Sequence, residues 1–231
     1  MNKESLVLEL EKLNLDTSKV DLLEAHMLET LKANESFNLT AIKEAEKFRE
    51  LMILDSAYAL KYFDFNNKKI IDIGTGAGYP GMVLATLSKG EFTLLDSTSK
   101  KVEFLRNLSS KYGYFNVNCV CDRAERFAKN HREEYDFAIA RAVSELPILL
   151  ELVLPLLKVG GYFIALKGSK GQNELKDSKK ALDKLGGVVY KIDEYELPES
   201  KEKRINIIIK KVKETNKKYP REYNQIISKK L

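Results

Sequence analysis

A glycine-rich loop between two apolar runs most constrains the fold of this chain. The run 70–73 contains Asp72 and is followed by four glycines within residues 74–81, and the second run, 92–95, ends in Asp96. Glycine lets backbone approach a ligand closely. A strand, glycine loop, helix and second strand ending in a carboxylate are typical of α/β folds that hold an adenosine-containing cofactor.

Asp72 distinguishes between two kinds of cofactor. Residues 76–81 fit the G-x-G-x-x-G pattern of dinucleotide-binding proteins, which is weak evidence alone. Asp72 directly precedes this loop, where it would repel a pyrophosphate and attract the positively charged sulfonium of S-adenosylmethionine. We therefore expect S-adenosylmethionine, with Asp72, Gly76 and Gly78 in its binding loop. NAD and a plain glycine turn remain alternatives.

Asp96 is the second candidate cofactor residue. Its carboxylate follows the second strand, where it can accept hydrogen bonds from both ribose hydroxyls. The alternative is a cap on the next helix, but residues 97–99 (Ser-Thr-Ser) offer better caps. We therefore expect Asp96 to contact the ribose.

The length and composition indicate one ordinary soluble domain. The chain has 231 residues, of which 44% are hydrophobic and 32% charged, and its formal charge of +5 is compatible with an acidic partner such as RNA. No apolar run is long enough to span a bilayer, and residues 1–5 lack a signal-peptide pattern, so we expect a cytoplasmic protein without membrane contact. Cys119 and Cys121 alternate along a predicted strand, which argues against a disulfide or a metal site.

The order of predicted elements gives the fold class. The predicted strands are 69–73, 91–96, 117–122, 135–141, 161–167, 187–196 and 204–212. The helices predicted between them are 79–88, 99–112, 124–129 and 145–157. Alternating strands and helices predict a Rossmann-like α/β fold with a seven-stranded, mostly parallel sheet, closed by an antiparallel hairpin. We divide the chain into an N-terminal helical extension (1–66), a core (67–213) and a basic tail (214–231).

Polar residues at the ends of later strands are further site candidates, because ligands bind at the carboxyl edge of such sheets. Residues 122–125 follow the third strand, where the adenine is expected; the alternative is a helix cap by Asp122. Arg141 ends the fourth strand and is a candidate for contact with the cofactor carboxylate, an acidic neighbour or an RNA phosphate. Lys167 ends the fifth strand, where a surface lysine is the alternative.

The tail is a candidate RNA-binding segment. Lys217, Lys218 and Arg221 surround Tyr219, a mixture that suits phosphate contact and base stacking. A merely solvated charged surface is the alternative.

Taken together, these pieces resemble the ribosomal RNA small-subunit methyltransferase G family, also called glucose-inhibited division protein B. The matching segments are 38–42, 53–56, 72–81, 94–97, 100–102, 123–125, 140–142, 165–168 and 219–221. The likeness runs from the second helix to the basic tail. The chain departs from the family at Met52, where a histidine is frequent.

The resemblance implies methylation of N7 of one guanosine in 16S ribosomal RNA, with free RNA and the assembled small subunit both left open as the substrate. We also expect the protein to be a monomer. It also implies that Gly74 and Tyr79 line the cofactor, that Ala124 and Glu125 flank the adenine, and that Arg141 lies at the mouth of the site.

No general base is expected, because guanine N7 carries a free lone pair and no proton. The two histidines, His26 and His131, do not follow predicted strands. Catalysis would then be positioning of the two reactants, without a catalytic side chain or a metal. The alternatives are a methyltransferase acting on another RNA position, a small molecule or a protein, and a non-catalytic RNA-binding module.

Overall fold

Seven strands form one sheet in the computed structural model, which describes residues 1–231. The strands are β1 (Lys69–Ile73), β2 (Glu91–Asp96), β3 (Val117–Cys121), β4 (Tyr135–Arg141), β5 (Leu157–Lys167), β6 (Gly187–Glu196) and β7 (Lys203–Lys211). Their order is β3-β2-β1-β4-β5-β7-β6, with β1 to β5 parallel and β7 antiparallel to both of its neighbours. This is the predicted sheet with its closing hairpin.

Eleven α-helices accompany the sheet. They are α1 (Lys3–Lys12), α2 (Val20–Asn34), α3 (Ala45–Phe48), α4 (Asp55–Ala57), α5 (Gly81–Leu87), α6 (Ser99–Lys111), α7 (Ala124–Asn130), α8 (Leu146–Val153), α9 (Gly171–Asp177), α10 (Lys179–Leu185) and α11 (Tyr223–Ser228). The last three lie outside the predicted helices. The predicted helix 145–157 ends early, at Val153, because Pro155 cannot continue it, and β5 then begins at Leu157.

The third helical region of the N-terminal extension is irregular. A π-helical turn, Arg49–Leu54, separates α3 from α4, and the 3₁₀ turn Tyr58–Lys61 follows. Widening of a helix by one residue leaves carbonyl groups that other donors can reach, and such turns are frequent at functional sites.

Three apolar clusters hold these parts together. Helices α8 and α10 pack on one face of the sheet, and α5 and α6 pack on the other. The third cluster joins α1 and α2 to Ala77, Tyr79 and Val83, so the N-terminal extension packs directly on the glycine loop and α5. None of the helices is both long and apolar enough to span a membrane.

Candidate functional site

A cavity of about 900 Å³ lies at the carboxyl edge of the sheet, beneath the N-terminal extension. Its lining residues come from 39–42, 51–55, 74–79, 141–145 and 166–170, together with Lys101, Glu174, Glu202 and Arg204. The extension, the glycine loop and the ends of β4 and β5 therefore all contribute to one site.

Asp72 shapes the glycine loop from inside. Its Oδ2 accepts hydrogen bonds from Thr75 Oγ1 at 2.7 Å and from the Gly81 amide at 2.8 Å, and the residue is only 1% exposed. A Cβ at position 81 would lie 2.7 Å from this oxygen, so the contact requires glycine. Burial raises the pKa of Asp72 to about 6. Asp72 does not line the cavity, so its charge would act on a ligand from behind the loop.

The loop glycines have different surroundings. Gly74 has φ +67°, and a Cβ there would lie 2.6 Å from Val143 Cγ2, so the backbone needs glycine at this position. Gly74 and Gly76 line the cavity. Gly78 instead packs against Met82, on the side of the loop that faces the core.

Asp96 links the glycine loop to the turn that follows β2. Its Oδ2 accepts from the Gly76 amide at 3.0 Å, and its Oδ1 accepts from the Thr98 amide at 2.8 Å. The expected capping of α6 by hydroxyls of residues 97–99 is wrong, because no side chain caps this helix. A carboxylate oxygen can accept two hydrogen bonds, so both oxygens of Asp96 retain capacity for ribose hydroxyls.

Residues 122–125 lie next to Asp96. The Asp122 amide donates to the Asp96 carbonyl at 3.2 Å, which brings the start of α7 to the end of β2. Glu125 is 5% exposed, and Arg123 Nε donates to its Oε1 at 2.8 Å. Asp96, Ala124 and Glu125 are outside the lining of the large cavity.

Arg141 is held in the cavity wall by the N-terminal extension. Its Nη1 donates to the Leu51 carbonyl at 2.9 Å, and its Nη2 lies 2.9 Å from Met52 Sδ. Both partners belong to the π-helical turn. Burial lowers the pKa of Arg141, while the charges of Asp55 and Asp72 oppose this shift. The Met52 thioether therefore contacts Arg141 where the family often has an imidazole.

Asp55 connects Arg141 to the closing hairpin. Its Oδ2 accepts from Arg204 Nε at 3.2 Å and lies 3.7 Å from Arg141 Nη1, while its Oδ1 accepts from the Tyr195 hydroxyl at 2.8 Å. Asp55 is only 3% exposed. Asp55 and Arg204 were missed as site residues. A signal was present, since a strand that runs antiparallel to β5 must begin at the carboxyl edge of the sheet, where Arg204 stands.

The chain matches a known family over most of its length. Residues 19–206 match the model of the GidB family, described as rRNA small subunit methyltransferase G. The chain belongs to this family.

Curated relatives carry the same description. The chain is 41% identical to the Ribosomal RNA small subunit methyltransferase G of Lactobacillus acidophilus, with 96% of each chain covered. It is 44% identical to the Staphylococcus aureus protein of that name, over 81% of this chain and 80% of the relative. These findings confirm the resemblance to the methyltransferase G family, and they do not favour the alternative functions.

Solved structures confirm the fold. A SAM dependent methyltransferase from Aquifex aeolicus superposes with a TM-score of 0.55 at 19% identity, covering 73% of this chain and 94% of its own. M. jannaschii TYW2, solved in complex with AdoMet, gives a TM-score of 0.57 at 14% identity, covering 74% and 80%. The predicted Rossmann-like methyltransferase fold is therefore confirmed.

The residues at the site fit S-adenosylmethionine. Gly76 leaves open space, because a Cβ there would meet only the Gly74 carbonyl oxygen, at 3.9 Å, and Asp96 accepts from the Gly76 amide and offers further oxygen acceptors beside it. The Oδ1 atom of Asp72 is buried without a hydrogen-bond partner and places negative charge behind the loop. Tyr79 lines the cavity with its ring edge-on to Phe48, at 5.1 Å between centroids.

Two residues expected to bind RNA are engaged inside the protein. Lys167 Nζ donates to the Ser144 carbonyl at 2.6 Å and pairs with Glu174 at 2.8 Å, although it lines the cavity. Arg221 is paired with the fully buried Glu151, with Nη2–Oε2 at 2.6 Å. Neither side chain is a free cation, and RNA binding by Lys167 and Arg221 stays a prediction.

Four other lysines remain available at the surface. Lys217 and Lys218 are exposed, as an RNA-binding role requires. Lys101 and Lys170 line the cavity and form no salt bridge. Lys101 belongs to the matching segment 100–102 but was not named as an RNA-binding candidate, and Lys170 was not singled out. Their shared position at the cavity follows from the fold, because one lies within α6 and the other before α9.

Proposed function

We propose that this protein transfers the methyl group of S-adenosylmethionine to N7 of one guanine in the 16S RNA of the small ribosomal subunit. As a member of the methyltransferase G family it is an rRNA methyltransferase that uses S-adenosylmethionine. The match over residues 19–206 carries this conclusion, and the cavity beside the glycine loop supplies the place for the target base.

The chemistry requires little of the side chains. S-adenosylmethionine would supply an electrophilic methyl group when bound. The free lone pair of guanine N7 would form the new bond to that carbon as its bond to sulfur breaks, so that S-adenosylhomocysteine leaves and no proton is transferred. The cavity lining contains no histidine or cysteine. His26 lies buried against Tyr112 and Tyr114, and His131 stacks on Phe127. We therefore assign no general base to the reaction.

The chain's own contribution is positioning and the exclusion of water. Leu51 and Leu166 line the cavity with apolar groups, while Arg141 and Arg204 present fixed donors held by Asp55. Alignment of two reactants in such a site lowers a barrier by roughly 7–11 kcal/mol at best. The glycine loop, Asp96, Ala124 and Glu125 would hold the cofactor.

RNA contact in this proposal comes from exposed cations. Lys101 and Lys170 at the rim, and Lys217 and Lys218 beyond it, would neutralise phosphates and make binding dependent on salt. The protein would act on its substrate as a monomer in the cytoplasm.

The deciding experiment maps the methylated base. Small subunits that lack the modification are incubated with the protein and methyl-labelled S-adenosylmethionine, in parallel with protein-free 16S RNA. Cleavage at N7-methylguanosine should then occur at one position of the RNA. Label in ribosomal protein, or label at a base other than guanine, would contradict the proposal.

The double variant Lys217→Ala/Lys218→Ala tests the proposed RNA binding by the tail. It should weaken RNA binding. The slope of the logarithm of affinity against the logarithm of salt concentration should also fall by about one for each phosphate that is no longer neutralised. Lys179→Ala/Lys180→Ala is the matched control, because these adjacent lysines are also exposed and lie on α10. Equal effects of both double variants would argue for nonspecific charge alone.

A further inference from the structure

The C-terminal segment, residues 214–231, is folded against the core. Thr215, Tyr219 and Ile226 are buried, and Arg132 donates to the carbonyls of both Thr215 and Tyr219. The Arg221–Glu151 pair fixes the same segment to α8. The segment is therefore part of the folded protein, although its composition suggests a solvated tail.

Helix α11 in this segment reaches residues 122–125. Ile226 packs between Ile148 and Leu152 of α8, and both Ala124 and Tyr223 pack against that small cluster. The C-terminal segment thus supports Ala124 together with the main apolar cluster, and the family resemblance assigns Ala124 to the adenine.

A second contact passes through Arg123. Its guanidinium carbon lies 4.6 Å from the centroid of the Tyr223 ring, and its Nε donates to Glu125 Oε1 at 2.8 Å. The Arg123 side chain is 44% exposed, whereas that of Glu125 is 6% exposed. The tyrosine ring therefore covers a guanidinium that would otherwise be free to move in solvent, and the guanidinium in turn neutralises a buried carboxylate.

We propose that Tyr223, acting through Arg123, is a positioning residue for the adenine end of the cofactor site. The C-terminal segment would then set the affinity for cofactor as well as carry the exposed lysines. This inference rests on the proposed function, because the assignment of residues 122–125 to the adenine of S-adenosylmethionine is part of it.

The physical argument concerns the freedom of Arg123. A guanidinium over an aromatic ring gains modest attraction and loses rotamers, so its hydrogen bond to Glu125 is formed more of the time. A partly exposed ion pair without such a restraint contributes little. Removal of the ring should therefore loosen residues 122–125 without disturbing the glycine loop or the large cavity.

The test measures binding and local order in the full-length protein. Tyr223→Ala should weaken binding of S-adenosylhomocysteine, measured by calorimetry, by about three- to tenfold. It should also speed amide hydrogen exchange of residues 122–126 in the cofactor-free protein. The KM for S-adenosylmethionine should rise while kcat at saturation and the affinity for RNA stay unchanged, which loss of a merely structural residue would not produce.

Three further variants complete the design. Tyr223→Phe keeps the ring and should restore both affinity and protection from exchange. Ile227→Ala is the matched control, because Ile227 is an exposed apolar residue of the same helix. If Tyr223→Ala does not fold, Arg123→Gln is the second test. It removes the guanidinium that joins Tyr223 to Glu125 and should give the same loss of affinity for S-adenosylhomocysteine.

The outcomes separate the two proposals. A folded Tyr223→Ala or Arg123→Gln protein that binds S-adenosylhomocysteine as the wild type does, with unchanged exchange at residues 122–126, would overturn the positioning role alone. A wild-type protein that does not bind S-adenosylhomocysteine would overturn the proposed function together with this inference.

Discussion

The carboxylate of Asp55 lies 3.7 Å from the guanidinium of Arg141, in the wall between the N-terminal extension and the sheet. Arg204 and Tyr195 of the closing hairpin share the same carboxylate. One buried acid therefore joins three separate parts of the chain at the cavity. The extension is a component of the site for this reason.

Asp55→Asn should reduce both stability and methylation. The substitution leaves Arg141 without its charge partner, and breaking a buried pair in this way costs about 3 kcal/mol. Misplacement of the two arginines should lower RNA methylation by roughly a hundredfold. Urea unfolding and the transfer of labelled methyl groups to small subunits measure the two effects.

Asp183→Asn is the control for this variant, because Asp183 is exposed on α10 and forms no ion pair. Affinity for S-adenosylhomocysteine should be similar in both variants. Full methylation activity of folded Asp55→Asn would show that Asp55 is not needed to hold the site.

Gly74→Ala should weaken cofactor binding. The new Cβ would meet Val143 Cγ2 at 2.6 Å, and φ of +67° costs an L-residue about 1–2 kcal/mol. We expect calorimetry to show a loss of affinity for S-adenosylhomocysteine of roughly tenfold or more.

Gly160→Ala is the control for Gly74→Ala. It shows whether backbone strain alone, rather than a change within the glycine loop, reduces the affinity for cofactor. Gly160 has φ of +92°, a Cβ there meets nothing within 4 Å, and the residue is remote from the cavity lining. This variant should lose only the stability that positive φ costs an alanine and should keep its affinity for S-adenosylhomocysteine. An equal loss of affinity in both variants would mean that Gly74 acts only through global stability.

Arg221→Ala should destabilise the protein rather than weaken RNA binding directly. Glu151 is fully buried, and both of its oxygens accept from Arg221. Leaving this carboxylate unpaired costs about 3–5 kcal/mol. The free energy of unfolding should fall by that amount, while the salt dependence of RNA binding by the folded fraction stays unchanged.

The double variant Arg221→Leu/Glu151→Leu tests this interpretation, because replacing a buried pair by apolar residues is often neutral. It should recover most of the lost stability. If the affinity for RNA depended less steeply on salt in either variant than in the wild type, Arg221 would instead contact RNA phosphate.

Stability should fall on acidification because of His26. Burial lowers the pKa of His26 to about 4 from 6.5. Between these two pH values the histidine is protonated in the unfolded chain but neutral in the folded protein. The contribution of His26 to the free energy of unfolding is constant above pH 6.5 and declines as the pH falls from 6.5 to about 4. In total, about 3 kcal/mol of stability is lost over this range.

His26→Phe should remove this decline and keep the ring contacts with Tyr112 and Tyr114. Asp72 titrates in the opposite sense, since its pKa is raised to about 6 and protonation then favours the folded state. Subtracting the pH profiles of the two proteins, measured by urea unfolding, isolates His26. Parallel profiles between pH 6.5 and 4 would contradict its buried neutral state.

Much of the fold follows from local patterns. The apolar runs before Gly74 and Asp96 are short and are bounded by turn residues. This pattern predicts buried strands without knowledge of the strands that pair with them. Helices α9 and α10 escaped prediction because residues 171–185 are rich in lysine and place few apolar groups on one face. Tertiary packing stabilises both helices, because Ala181, Leu182 and Leu185 of α10 join the main apolar cluster and Leu175 of α9 packs against it.

Local sequence patterns suffice to predict the α/β architecture, the glycine loop, the carboxylate at position 96 and the family resemblance, because each depends on residues close together in the chain. The availability of each charge follows from the folded structure instead. Arg221 and Lys167 have the composition of RNA contacts, yet buried or neighbouring acids from distant elements engage them. Asp55 is a charged residue in a helical segment, yet it is 3% exposed and is engaged by Tyr195 and Arg204 of the hairpin and by Arg141 of β4. Whether a charge is free or paired depends on partners far away in sequence, which a local pattern does not encode.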